Sequence, residues 1–141
     1  MEPVSTVVER IAYLRGTALG ASQLSKSGLP LALASIELDD SARLLDLDDP
    51  AVLSDERLRP SLVATRDRAR TQATAASLFD RHPDVAGLTW WSTFEALWMN
   101  VTLWDRGSTI LELVSVEALA LSHDAVIDAA HFLGLPIEGK R

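Results

Sequence analysis

The chain has 141 residues, 48 % of them hydrophobic and 23 % charged, which suits one ordinary globular domain with enough apolar material for a core. Its 13 Lys and Arg against 20 Asp and Glu give a formal charge of −7, and that balance excludes nucleic acid as the main partner, because phosphate binding needs cationic surface. There is no cysteine, hence no disulfide framework and no thiol chemistry. No apolar run approaches membrane-spanning length, and the acidic start MEPVSTVVERIAYLRG is not built like a secretory signal, so a cytoplasmic protein is expected.

In chain order, residues 3–15 predict a helix. Val4, Val7, Val8, Ile11 and Leu14 recur at spacings of three and four, one buried stripe, with Ser5 as the cap and Gly16 as the stop. Glu9 lies near that stripe, beside Arg10, where a carboxylate either meets solvent or flanks a cleft. Residues 16–30, rich in Gly and Ser, have loop composition. Ala32, Ala34, Ile36 and Leu38 alternate as in a strand, and Ala42–Leu47 is a second strand. Asp46, Asp48 and Asp49 lack the spacing, glycine and closing glutamate of a calcium loop and read instead as a turn and helix cap before Pro50.

Residues 50–59 form a short helix or turn in this reading, and Thr65–Arg81 the longest helix. Its expected inner stripe is Ala69, Ala73, Ala76 and Phe79, and Pro83 ends it. Arg66, Arg68 and Arg70 then form a solvated helix face, and Gln72 a surface hydrogen-bonding group. The histidines, His82, His123 and His131, have no metal-ligand spacing, so no zinc site is expected.

All four tryptophans fall within the fifteen positions from Trp90 to Trp104. Gly87–Ser92 and Leu97–Trp104 read as two strands joined by a short turn. In the second strand Leu97, Met99, Val101 and Leu103 share one face, expected to be core. Trp98, Asn100, Thr102 and Trp104 share the other, expected to face a second layer or a ligand. Gly107-Ser108 turns the chain into a further strand of this half, residues 109–116. Ser122–Leu133 is a last helix capped by Ser122 and ended by Gly134 and Pro136, before a short tail expected to fray. The order of elements predicts an α+β fold, a mixed α/β sandwich with antiparallel pairing at the tryptophan hairpin.

The run Gly87-Leu88-x-Trp90-x-Ser92, followed by a strand ending Leu103-Trp104-Asp105-Arg106, resembles the RES domain family, named for an arginine, a glutamate and a serine. VVERIAYLRG resembles the family's glutamate-bearing helix, Thr71-Gln72 the element before its serine strand, and the Leu44–Leu47 region its strand before a small helix. The likeness runs from about Val7 to Val114. Two positions depart from the usual wording: Trp90 stands for a tyrosine, and Thr93 for an arginine after the serine.

The resemblance implies an ADP-ribosyltransferase-like mixed sheet flanked by helices around an NAD+ cleft. It implies a bacterial toxin that degrades NAD+ by phosphorolysis or hydrolysis of the nicotinamide–ribose bond, or transfers ADP-ribose, paired with a helix-turn-helix antitoxin. On it, Glu9 and Ser92 are the catalytic candidates, and Trp90, Trp91 and Asn100 the NAD+-binding ones, with no metal. Trp98 and Trp104 are assigned to packing. The family's arginine belongs upstream of its glutamate, and Met1 stands eight positions before Glu9, so a single RES-like domain over 1–141, shortened at its N-terminus, is expected. The alternative readings are a catalytically inert RES-like module acting through protein binding or self-association, and a small α+β binding domain that shares the hairpin pattern by chance.

Overall fold

The computed structural model of the chain describes residues 2–139, and the backbone alone of residues 108–110. The fold is α+β, as expected. The helices are α1 (Pro3–Ile11), α2 (Pro50–Asp55), α3 (Pro60–Val63), α4 (Arg68–Arg81) and α5 (Asp124–Leu133). The strands are β1 (Ser25–Lys26), β2 (Leu29–Pro30), β3 (Ala32–Leu38), β4 (Leu44–Asp46), β5 (Gly87–Trp91), β6 (Met99–Leu103) and β7 (Leu111–Ala118). The chain gathers into two compact units, one built from both ends of the sequence as far as Ile36 and from Leu113 on, the other from Glu37–Glu112.

The first unit is organised by α1 against α5. Val7, Val8 and Ile11 are buried on α1, and Leu14 continues the stripe on one turn of 3-10 helix. On α5 the buried positions are Ala125, Val126, Ala129 and Ala130, whose small side chains let the helix axes approach closely. Two caps differ from expectation. Pro3 opens α1, where its missing N–H costs nothing, so Ser5 falls inside the helix and is buried at 1 % exposure. Its hydroxyl has no hydrogen-bond partner among the described residues. At α5 the N-cap is His123, whose Nδ1 accepts the Ala125 N–H at 3.2 Å, and not Ser122. Gly134 ends α5 at φ +67°, with the Leu135 N–H returning to the Ala130 carbonyl at 2.8 Å, a Schellman closure.

Residues 16–30, expected as loop, contain a 3-10 turn at Ala21–Leu24 and the small antiparallel hairpin of β1 and β2. Ser27 and Gly28 both have positive φ, the twist that a two-residue hairpin turn needs. The tail is also more ordered than expected. Leu19 donates to the Pro136 carbonyl at 2.8 Å, Glu138 donates to the Leu19 carbonyl at 2.9 Å, and Ile137 is buried. Lys140 and Arg141 lie outside the described residues. β7 begins at Leu111 because residues 105–110 wind as 3-10 helix, and it pairs with β3 rather than joining the tryptophan hairpin as a third strand.

In the second unit β4, β5 and β6 form one sheet. β4 runs parallel to β5, with α2, α3 and α4 in the crossover, and β5 pairs antiparallel with β6 in the register Gly87↔Leu103 to Trp91↔Met99. Asp49 caps α2 by accepting the Ala51 N–H at 2.8 Å, and Asp46 accepts from the Asp48 N–H and the Thr89 hydroxyl, both at 3.0 Å. The three aspartates are therefore turn and cap. Asp67 accepts the Arg70 N–H at 3.1 Å and so starts α4 later than Thr65. The inner face of α4 is also not the expected one. Thr71, Thr74, Ala75 and Leu78 are the covered positions, whereas Ala69, Ala73, Ala76 and Phe79 are exposed.

Leu47, Leu53, Val63, Leu78 and Leu88 make the core of this unit, with Trp90, Trp91 and Trp104 packed on it. The hairpin thus faces inward on the side of Leu88, whose partner across the ladder is Thr102. The side expected to be core is the more open one, because Leu97 is 90 % and Val101 36 % exposed.

Two stability predictions follow from these contacts. A Cβ at Gly87 would stand 2.2 Å from the Thr102 carbonyl oxygen, so Gly87→Ala forces the strands apart and costs about 1–3 kcal/mol in urea denaturation. Ser5→Ala removes a buried hydroxyl that lacks a partner and favours helix, and is expected to raise stability by about 1 kcal/mol in the same assay.

Candidate functional site

The β5–β6 hairpin carries four of the five proposed residues, with Trp91, the partner of Met99, on the face opposite to Trp90 and Asn100. Trp90 and Asn100 are direct partners across the ladder and so project from the same face. The Trp90 indole Nε1–H donates to the Thr102 hydroxyl at 3.0 Å, which fixes the ring over its neighbour strand. Asn100 and Trp91 are half-buried. Ser92 follows directly after β5, and its N–H donates to the Trp98 carbonyl at 2.8 Å, adding one rung beyond the ladder. The Ser92 hydroxyl accepts the Phe94 N–H at 3.2 Å and the residue is 2 % exposed, so this side chain shapes the turn into 93–98. The turn closes through Trp98 donating to the Glu95 carbonyl at 3.0 Å.

Glu9 stands elsewhere in the chain. It is exposed on α1 in the first unit, whereas Ser92 belongs to the second. Trp104 packs as assigned, its ring 5.4 Å from Phe79 at 86°.

Arginines hold this unit together in ways the sequence pattern did not single out. The Arg66 guanidinium lies 5.5 Å from the centre of the Phe94 ring, placing a cation beside the Ser92 turn. Arg106, the last residue of the Leu-Trp-Asp-Arg run, stacks 3.9 Å from the Phe79 ring centre and 4.8 Å from that of Trp104. Its Nη2 donates to the Phe79 carbonyl at 2.8 Å, fastening the end of β6 to α4. Arg43 pairs with Asp84 on the surface. A planar cation between two rings gives no periodic signal, and only the adjacency of Arg106 to Trp104 hinted at it.

Glu56, at the end of α2, is the other residue that pattern reading passed over. Its carboxylate receives Arg81 and, at 2.7 Å, His82 Nε2 from the end of α4, and only 11 % of its side chain is exposed. Burial alone would raise its pKa. The hydrogen bonds from His82 and Arg81, with their charges, outweigh burial and hold the carboxyl below the ordinary value of 4.5. Among the described residues no group of three or more His, Asp or Glu stands close enough to hold a metal ion, and no helix is long and apolar enough to cross a membrane.

No family model, no curated protein and no solved structure matches the chain.

The Glu56 cluster has a definite pH signature. A carboxyl whose pKa is lower in the folded than in the unfolded chain contributes stability that is complete above 4.5 and lost as pH falls through the lowered folded value. Thermal melts below pH 4.5 should therefore lose stability more steeply in the wild type than in Glu56→Gln, whose melting temperature starts lower at neutral pH.

Proposed function

We propose that the chain is a RES-type domain directed at NAD+, with the β5–β6 hairpin as the wall against which the dinucleotide rests. The observation that carries this reading is the register of the hairpin. The two segments that bear the resemblance, Gly87–Ser92 and the strand running into Leu103-Trp104-Asp105-Arg106, are apart in sequence and pair residue for residue. One end of that hairpin carries the Trp90–Asn100 pair and Ser92, with the Arg66 cation beside the turn, while the half-buried indole of Trp91 lies on the opposite face of the strand. Flat rings suit nicotinamide or adenine, and a guanidinium suits a pyrophosphate through paired, charge-assisted hydrogen bonds. Arg66 therefore supplies charge of the kind that the family's own upstream arginine would give.

In this proposal the C1′–N bond to nicotinamide breaks with its electron pair leaving on nicotinamide. An oxygen of phosphate or water then bonds to C1′, and water gives up a proton to the solvent as it does so. Positive charge develops on the ribose, and the resemblance gives the role of stabilising it to a carboxylate, that of Glu9. Ser92 positions a ribose hydroxyl or the incoming oxygen. The partner that the resemblance implies is a helix-turn-helix antitoxin. A second reading, a catalytically inert RES-like module that works through protein binding, is favoured by the Ser92 hydroxyl, which is buried and serves as an acceptor within its own turn.

The test is NAD+ loss by the purified chain with and without inorganic phosphate, beside Glu9→Ala and Arg66→Ala variants whose circular dichroism matches the wild type. The expected outcome is turnover that falls about a hundredfold in Glu9→Ala, while Arg66→Ala raises KM for NAD+ with a smaller effect on kcat. Stimulation by phosphate would assign phosphorolysis. No turnover by the folded wild type would sink the enzymatic reading and leave the binding module.

A further inference from the structure

Helix α5 begins on a titratable acceptor. N-caps are usually Ser, Thr, Asp or Asn, whose side-chain oxygen accepts from the first turn. Here Ser122 stands one position too early and the ring of His123 takes that place, its Nδ1 accepting the Ala125 N–H at 3.2 Å. A nitrogen that accepts an N–H must keep a lone pair, so the proton of the neutral ring is on Nε2. Ala125 is 5 % exposed, which leaves its N–H little access to water as a substitute partner. The side chain of His123 is 20 % exposed and so open to a proton from solvent.

The charged ring meets a different set of forces. With a proton on Nδ1 the ring can no longer accept from Ala125, and the partial positive charge at the helix start repels it. On its other side, Nε2 stands 3.5 Å from the Glu117 carboxylate at the end of β7. Among the described residues no other carboxylate oxygen lies within 4 Å of the ring nitrogens. The elements around it also carry Asp124, Asp128 and His131 on α5 itself, and Glu2, Glu9 and Arg10 at or on α1, which packs against α5. Neutral, the ring therefore belongs to α5; protonated, it belongs to Glu117. Histidine is the side chain whose charge ordinarily changes between about pH 5 and 8.

We propose that His123 is a pH-operated cap. It closes the first turn of α5 when the ring is neutral, and a single proton from solvent breaks the bond to Ala125 and hands the ring to Glu117. The segment that feels the change is the one just before it. The Leu119 N–H donates to the Leu31 carbonyl at 2.7 Å and the His123 N–H to the Ala120 carbonyl at 3.0 Å, so residues 119–122 are tied at both ends. They form one wall of an open groove whose other wall is Ala21, Leu24, Ser25 and Pro30. Release of the cap loosens that wall at its α5 end. All these residues belong to the first unit, and the inference is independent of the NAD+ reading of the hairpin.

The test is heteronuclear NMR of the full chain from about pH 8 to about pH 5. That window lies above the range in which Glu56, held below 4.5, takes up its proton. At the upper end the ring nitrogen shifts should place the His123 proton on Nε2. Toward the lower end, protection of the Ala125 amide, corrected for the intrinsic pH dependence of exchange, should fall about tenfold in step with the ring's titration. His123→Asn, whose amide oxygen caps without titrating, should keep that protection throughout, and His123→Ala should lack it throughout. Glu117→Gln should retain more of the protection at the acid end, because the released ring loses its counter-ion. Protection that does not change across the range in the wild type would overturn the proposal. So would an equal fall in His123→Asn, or a neutral ring protonated on Nδ1.

Discussion

The close approach of β5 and β6 at Gly87 governs the second unit. A strand pair sets its spacing by backbone hydrogen bonds, about 4.8 Å between chains, and a side chain pointing at the neighbour's carbonyl cannot be accommodated at that distance. Only glycine leaves the Thr102 carbonyl room. With that point fixed, the register runs without a slip to Trp91 and Met99, and every later feature inherits it. Trp90 meets Asn100, the Trp90 indole reaches Thr102, and Ser92 arrives where it bonds the Trp98 carbonyl. A shift of one residue would exchange the faces and put Leu88 in solvent.

The elements were legible in the sequence where a single local rule decides them. The stripe on α1, the αL stop at Gly134, the aspartate cap before Pro50 and the alternation of the hairpin all depend on neighbours three or four positions away at most. Which face of an element is buried was less legible. On α4 the stripe of alanines and Phe79 and the stripe of Thr71, Thr74, Ala75 and Leu78 have the same period. Fully buried Leu78 decides for the second, while Phe79 lies at the rim, where its ring stands nearly perpendicular to that of Trp104 and carries the Arg106 guanidinium over it. The same ambiguity affected β6. Its aliphatic side looked like core by hydropathy, but it is the side of Trp90 and Trp104 that packs on the leucine-rich core.

The candidate site was legible in its hairpin half because its members lie on two adjacent strands. Strand pairing converts a sequence pattern directly into proximity. Glu9 is of another kind: it lies on a helix of the first unit, and no local rule ties its carboxylate to Ser92. Long-range groupings such as Glu56 with Arg81 and His82, or Arg106 with Phe79, were invisible for the same reason. They join positions about 25 residues apart that have no shared periodicity.

Burial separates what the two serines of interest can do. Ser5 and Ser92 are both almost fully covered, at 1 % and 2 % exposure. Ser5 lies inside a helix, where its hydroxyl contributes nothing that alanine would not. Ser92 lies where a strand ends, and there a hydroxyl has a use: it accepts the Phe94 N–H that the ladder no longer satisfies. A serine so placed holds the turn and, with it, the position of Phe94 under Arg66. Its removal would then disturb the cation beside the hairpin even if the hydroxyl never touched a substrate. For this reason the Arg66 variant, which leaves the turn intact, separates ligand binding from turn geometry better than any change at Ser92.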